Sequence, residues 1–155
     1  MTDGLRFVPD DLSGEDIRAL LRLHLDEMHQ WSPPCKVHAM PVERLRQSDV
    51  TFWSAWHGAS LAGCGALKHI DDRHGEIKSM RAHPDWRGKG VGKAILLHLL
   101  DQARARGYTR LSLETGRPAP FLPARRLYER HGFAECPPFG DYVSDEFSLC
   151  MTRTL

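Results

Sequence analysis

The chain has 155 residues, with 21 Lys and Arg against 20 Asp and Glu, a net charge of +1 and 41% hydrophobic residues. These values are typical of globular proteins, so we expect residues 1–155 to form a single domain rather than a disordered chain. The balanced charge argues against nucleic acid as a partner, and no apolar run approaches about 18 residues, so we also expect no membrane association.

The first third of the sequence predicts a strand followed by helices. Residues 5–8 are predicted to form a short strand, and Ser13 is a candidate N-cap for the helix that follows. Apolar residues recur at the helical period over residues 17–28. Residues 31–41 are predicted to be an irregular loop, and residues 42–46 a short second helix.

The middle of the chain changes from the helical period to strand-like composition. Three strands joined by turns are predicted at residues 51–56, 61–70 and 76–82. The remaining elements are a helix that begins near Val91, a strand at 111–114, a helix at 123–130 and strands at 133–136 and 146–151. This order predicts an α/β (α+β) domain with a mixed, largely antiparallel central sheet flanked by helices.

A glycine-rich segment joins the third strand of this meander to a helix. It reads Arg87-Gly88-Lys89-Gly90-Val91-Gly92, and Lys93 follows it. The first N–H groups of a helix have no intrahelical partners and the helix dipole favours negative charge there, so such a segment suits an anion. The spacing fits neither a dinucleotide fingerprint nor a P-loop. We expect a ligand with two or three linked phosphates.

Two motifs resemble those of the GNAT superfamily of N-acetyltransferases. Arg87-x-x-Gly90-x-Gly92 is similar to the family's acyl-CoA pyrophosphate loop, [QR]-x-x-G-x-[GA], and residues 124–133 are similar to its A-x-x-L-Y-x-x-x-G-F helix. The run at 138–142 looks like that of a poorly characterised bacterial subgroup. The resemblance implies a GNAT-like acyl-CoA N-acyltransferase fold and acetyl-CoA as cosubstrate. Phe121 departs from the pattern, because family members often have a cofactor-contacting Asn there.

The resemblance also implies roles for individual residues. The residues implied to bind the cofactor are Met80, Arg81, Ala82, Arg87, Gly88, Lys89, Gly90, Val91, Gly92 and Lys93. Tyr128 is the candidate acid that protonates the departing sulfur; the alternative is a core aromatic residue. Acetyl transfer to an alkyl ammonium, whose pKa is about 10.4, also requires a base. Glu76 is the candidate base, with Glu114 or water as alternatives, and Glu76 could instead be a solvated glutamate at a strand end.

We therefore expect an acetyl-CoA-dependent N-acetyltransferase acting on a primary amine of a small molecule or peptide. The alternative is a non-catalytic acyl-CoA-binding or sensor domain on the same fold. His38, within the loop at 31–41, and Asp141 and Tyr142 are candidates for contacting the acceptor. Nine histidines without an HExxH or HxH motif predict no metal site. Four cysteines without a CxxC pair indicate reduced thiols in a cytoplasmic protein, and a homodimer is possible.

Overall fold

A seven-stranded sheet dominates the computed structural model, which describes residues 4–33 and 41–155 of the chain. The strands within these residues are β1 (Arg6–Pro9), β2 (Val50–His57), β3 (Ser60–Asp71), β4 (His74–Ala82), β5 (Arg110–Gly116), β6 (Ala134–Cys136) and β7 (Ser148–Thr154). The helices are α1 (Glu15–Trp31), α2 (Val42–Leu45), α3 (Val91–Ala105) and α4 (Leu122–Arg130). Short 3₁₀ turns lie at Pro84–Trp86 and Ala119–Phe121.

The sheet is mixed, with the order β1-β2-β3-β4-β5-β7-β6. The strands β1 to β4 form an antiparallel meander, and β5, β7 and β6 form a second antiparallel group. The two groups join through β4 and β5, which pair in parallel. Helix α3 provides the crossover between these parallel strands. The predicted fold class is confirmed.

Helices cover both faces of the sheet. On one face, Ile95 and Leu99 of α3 pack so closely on β3 that a Cβ at Gly65 would lie 2.8 Å from Ile95 Cγ2 and 3.2 Å from Leu99 Cδ1. This close packing explains the glycine at position 65. On the other face, Ile17 of α1 and Leu45 of α2 are buried in a second apolar cluster.

Most elements extend beyond their predicted ends, as expected for boundaries read from sequence. The Ser13 cap prediction is wrong: Gly14 is the N-cap of α1, and the Ser13 hydroxyl donates instead to Asp11 Oδ1 at 2.6 Å. Helix α1 continues to Trp31, which the sequence had placed in a loop. His38 lies outside the described residues. No helix in the described ranges is long and apolar enough to cross a membrane.

Candidate active site

The sheet opens between β4 and β5. Their parallel pairing covers only His74–Glu76 against Arg110–Ser112, and beyond Glu76 the two strands separate. A bulge follows in β4, where Ser79 adopts a left-handed φ of 51° and the register with β3 shifts. Cys64 of β3 donates its thiol hydrogen to the Ser79 carbonyl at 3.3 Å. Because a bulge bends its strand, it favours the opening of this part of the sheet.

A cavity of about 700 Å³ lies at this opening, bounded by α1, β4, β5 and the start of α4. It brings together most of the residues that the sequence singled out. Those that line it are Glu76, Met80, Arg81, Ala82, Arg87, Gly88, Gly92, Glu114 and Tyr128. Four other predicted residues do not line the cavity: Lys89, Gly90, Val91 and Lys93. The side chain of Val91 lies in the core and Lys93 lies at the surface. The ammonium of Lys89 lies 5.2 Å from the centroid of the Trp86 ring.

The glycine loop has the geometry of an anion site. Gly88 and Gly90 have φ values of 73° and 82°, a conformation that side chains disfavour, which explains the glycines at these positions. The Ala94 N–H donates to the Gly90 carbonyl at 3.1 Å, so the N–H groups before it precede the first intrahelical bond of α3. The side chain of Arg87 is 59% exposed beside them. An anion placed here would meet backbone donors and a guanidinium together.

Glu76 is the most buried acidic side chain of the cavity wall. It is 3% exposed, so the alternative of a solvated strand-end glutamate is wrong. Its Oε2 accepts a hydrogen bond from the Tyr142 hydroxyl at 2.6 Å and lies 3.3 Å from Lys78 Nζ. Lys78 also donates to the Tyr142 hydroxyl. A buried carboxylate is therefore balanced by one ammonium and one phenol.

Tyr128 faces the same cavity from α4. The side chain is 6% exposed and packs edge to face on the Phe133 ring, with 5.9 Å between the ring centroids. Burial, and then the negative charge of Glu114, raise the pKa of Tyr128 to about 12. The phenol is thus protonated across the neutral range and can act as a proton donor. Glu114 itself accepts a hydrogen bond from Ser148 Oγ at 2.6 Å.

The wall formed by α1 contains a charged cluster that the sequence analysis missed. Glu27 forms an ion pair with Arg81, and its Oε1 lies 3.5 Å from the guanidinium of Arg87. Nη1 of Arg81 lies 3.5 Å from Nδ1 of His24. The spacing of His24, Met28 and Trp31 places all three on one helical face, and all three line the cavity. The spacing of His24, Met28 and Trp31 is the sequence feature from which their shared helical face could have been predicted.

His24 should make the stability of the free protein depend on pH. Burial, followed by the positive charge of Arg81, lowers the pKa of His24 from 6.5 to about 4. The folded state therefore binds a proton at His24 less readily than the unfolded chain does. Protonation of the unfolded chain costs no stability above pH 6.5, and the free energy of unfolding falls as the pH decreases from 6.5 towards 4. The difference between the two pKa values of His24 corresponds to about 3 kcal/mol of unfolding free energy. Urea unfolding at pH 7 and pH 4.5 measures this loss.

The His24→Gln variant provides the comparison for this measurement. A neutral amide cannot bind the proton, so the loss of stability between pH 7 and pH 4.5 should become smaller in this variant. His29 is exposed on the same helix, and His29→Gln is the matched control that should retain the full loss. An equal loss in all three proteins would contradict the assignment to His24.

Two aromatic side chains cover the cavity between α1 and α4. The rings of Trp31 and Phe121 meet edge to face with 5.3 Å between their centroids. Phe121 in turn lies directly on Gly116 of β5, where a Cβ would come 2.3 Å from the ring. The departure from the family motif at Phe121 thus contributes an apolar cover to the site.

The clusters of His, Cys, Asp and Glu side chains bear on the prediction that no metal binds. Within residues 4–33 and 41–155, no group of three or more His, Cys, Asp or Glu side chains is arranged to hold a metal ion. The polar side chains that line the cavity are carboxylates, a phenol, hydroxyls and basic groups.

Comparisons with known proteins identify the family of the chain. The Acetyltransferase (GNAT) family pattern matches residues 17–133. Over 146 residues the chain is 53% identical to the uncharacterized N-acetyltransferase YsnE of Bacillus subtilis, covering 94% of this chain and 97% of that protein. It is 49% identical over 146 residues to the uncharacterized N-acetyltransferase YedL of Escherichia coli, covering 94% and 92% respectively.

A solved structure shares the fold. It is that of a GNAT family acetyltransferase from Elizabethkingia anophelis with acetyl-CoA bound, with a TM-score of 0.74, 18% identity and 99% of both chains covered. At that identity the likeness concerns the fold alone, whereas the family pattern covers most of this sequence. The chain belongs to the GNAT family and is an acetyl-CoA-dependent acetyltransferase.

Proposed function

We propose that the protein transfers the acetyl group of acetyl-CoA directly to a primary amine of a small molecule or peptide. The observation that carries this proposal is that Glu76, Tyr128 and part of the glycine loop line one cavity. Acetyl transfer to an amine needs a proton acceptor for the nucleophile and a proton donor for the leaving sulfur. A buried carboxylate and a protonated phenol supply these two groups.

Residues 87–93 are proposed to hold the pyrophosphate of acetyl-CoA. The first N–H groups of α3 would donate to it, and Arg87, Lys89 and Lys93 would add positive charge. Met80, Arg81 and Ala82 lie on the part of β4 that has separated from β5. Backbone groups on this open edge of β4 are suited to bind the amides of the pantetheine arm. The bound acetyl-CoA in the Elizabethkingia anophelis relative supports this choice of cosubstrate.

The proposed reaction is a single transfer without an acetyl-enzyme intermediate. The neutral amine nitrogen forms a bond to the acetyl carbonyl carbon, and its proton passes to the carboxylate of Glu76. A backbone N–H of β4 near Met80 stabilises the negative charge on the carbonyl oxygen. The carbon–sulfur bond then breaks, and the departing sulfur takes the hydroxyl proton of Tyr128. The products are the N-acetylated amine and the free thiol of CoA.

The thiols in the described part of the chain support direct transfer. Cys64, Cys136 and Cys150 do not line the cavity. Burial raises the pKa of Cys64 to about 12 and also raises the pKa of Cys150. Because the thiolate is the nucleophilic form, these two buried thiols are poor candidates for an acetylated intermediate.

Thermal unfolding with acetyl-CoA, ATP or NAD at equal concentration tests the cosubstrate. At about 100 times Kd, a ligand specific for the folded state adds roughly 2.7 kcal/mol, which should raise Tm by several degrees. We expect this rise with acetyl-CoA alone, and a smaller rise in Arg87→Gln. Arg126, exposed on α4, provides the matched control Arg126→Gln. A rise of equal size with ATP or NAD, or none with acetyl-CoA, would contradict the proposal.

Release of free CoA thiol in the presence of amines tests the transfer itself. The panel consists of benzylamine, ethanolamine, lysine and a dipeptide with a free N-terminus. Thiol release that depends on the amine, with the N-acetyl product identified by mass spectrometry, is the expected result. Binding of acetyl-CoA without transfer to any member would favour the non-catalytic alternative.

A further inference from the structure

The carboxylate of Glu76 is held on one side only. The hydrogen bond from Tyr142 and the ion pair with Lys78 both involve Oε2. Within the part of the chain that the structure describes, no hydrogen bond reaches Oε1. One oxygen is therefore fixed by two partners, while the other remains available on a side chain that lines the cavity.

Tyr142 comes from a distant part of the chain, 66 residues after Glu76. It lies in the segment between β6 and β7, where its N–H donates to the Phe139 carbonyl at 3.2 Å. The rings of Phe139 and Tyr142 meet edge to face at 5.1 Å, and Phe139 lies 5.9 Å from the ring of His74 at the start of β4. These contacts fix the segment beside the strand that carries Glu76.

Lys78 completes this arrangement from β4. Its side chain is 10% exposed, and its ammonium lies 5.1 Å from the centroid of the Tyr142 ring. Burial, and then the negative charge of Glu76, raise the pKa of Tyr142 above its usual value, so its hydroxyl keeps the proton that it donates. The ammonium of Lys78 donates to the Tyr142 hydroxyl, and the Tyr142 hydroxyl donates to the Glu76 carboxylate.

The remaining charges near Glu76 come from several elements. His74 on the same strand, Arg44 on α2 and Cys150 on β7 each interact with it electrostatically, and Glu114 on β5 acts on Tyr142. Among the described residues, hydrogen bonds and ion pairs to the carboxylate come from Tyr142 and Lys78. Changes at these two positions should therefore affect Glu76 most directly.

We propose that Tyr142 and Lys78 are positioning residues that hold Oε2 of Glu76, so that Oε1 takes the proton of the attacking amine. This inference rests on the proposed function, in which Glu76 is the base. Tyr142 donates a hydrogen bond to the charged form of the carboxylate and the ammonium of Lys78 pairs with it, and both interactions favour that form. A hydrogen bond to a charged acceptor is stronger than one to a neutral acceptor, so removing the Tyr142 hydroxyl should weaken the hold on the charged carboxylate.

The Tyr142→Phe variant removes the hydroxyl and retains the ring. We expect the acid limb of kcat/KM for benzylamine, or for the most active amine of the panel, to move to higher pH by about one to two units. In protein labelled with ¹³C at glutamate side chains, the carboxyl resonance absent from Glu76→Gln should titrate with a midpoint displaced in the same direction. This NMR titration needs no acceptor.

A matched control and a double variant separate positioning from a structural role. Tyr108 is a buried tyrosine outside the cavity, with its hydroxyl 2.7 Å from His69 Nδ1, so Tyr108→Phe should leave both titrations unchanged. Because the Tyr142 hydroxyl acts through the carboxylate, adding Tyr142→Phe to Glu76→Gln should cause little further loss of kcat.

Two outcomes would overturn the inference in distinguishable ways. If Glu76→Gln abolishes the acid limb but Tyr142→Phe moves neither the limb nor the carboxyl titration, the positioning role is wrong and the base assignment stands. If Glu76→Gln leaves the turnover and the pH profile unaltered, the base assignment fails and the positioning role fails with it.

Discussion

Replacing Glu76 by glutamine should lower kcat/KM by about 10²- to 10⁴-fold, the contribution expected of a general base. Glutamine has nearly the same shape and can still accept the hydrogen bond of Tyr142, but it cannot take a proton from the amine. The acid limb of the pH–rate profile should disappear together with the activity. Steady-state thiol release at several pH values measures both effects.

Two further glutamate variants show whether the effect is specific. Glu114→Gln tests the competing base on β5, and Glu129→Gln changes an exposed residue of α4. Both should retain most of the activity. Because Glu76→Gln leaves Lys78 without its counter-charge, thermal unfolding of each variant is measured in parallel. Loss of activity in Glu114→Gln with full activity in Glu76→Gln would transfer the role of base to Glu114.

Replacing Tyr128 by phenylalanine should lower kcat by about 10²-fold or more, with little change in the affinity for acetyl-CoA. The ring would still pack on Phe133, so the change removes the proton donor and not the core contact. Single-turnover thiol release measures the chemical step, and the acetyl-CoA dependence of Tm measures binding.

Tyr108→Phe is the matched control for this substitution as well. It removes another buried hydroxyl, one that contacts His69 on the far end of β3. The two variants should therefore differ strongly in kcat even if both lose some stability. Equal turnover in Tyr128→Phe and the wild-type protein would show that the sulfur obtains its proton from another source.

The glycine loop could be predicted from the sequence because its information is local. Gly88 and Gly90 adopt left-handed backbone conformations within a few residues of a helix start, and the neighbouring basic residues lie in the same segment. The helix that carries Tyr128 was predictable for the same reason. In both cases a short motif specifies the backbone and the candidate functional groups together.

The surroundings of Glu76 could not be predicted in this way. The position where β4 separates from β5 depends on a pairing between distant strands, and only three residue pairs form it. The partners of Glu76 come from β4 and from a segment 66 residues away. Sequence periodicity placed Glu76 at the start of a strand, but it contains no information on which loop will cover that end of the strand.

The contact between Phe121 and Gly116 limits how the site can change over evolutionary time. A side chain at position 116 would overlap the Phe121 ring, which lies where a Cβ would be placed. A smaller residue at position 121, by contrast, leaves glycine at 116 acceptable. Substitutions at the two positions should therefore be coupled, with a larger residue at position 116 better tolerated after residue 121 has become smaller. Phe121 thus makes the glycine beneath it a constraint on how the wall of this cavity can evolve.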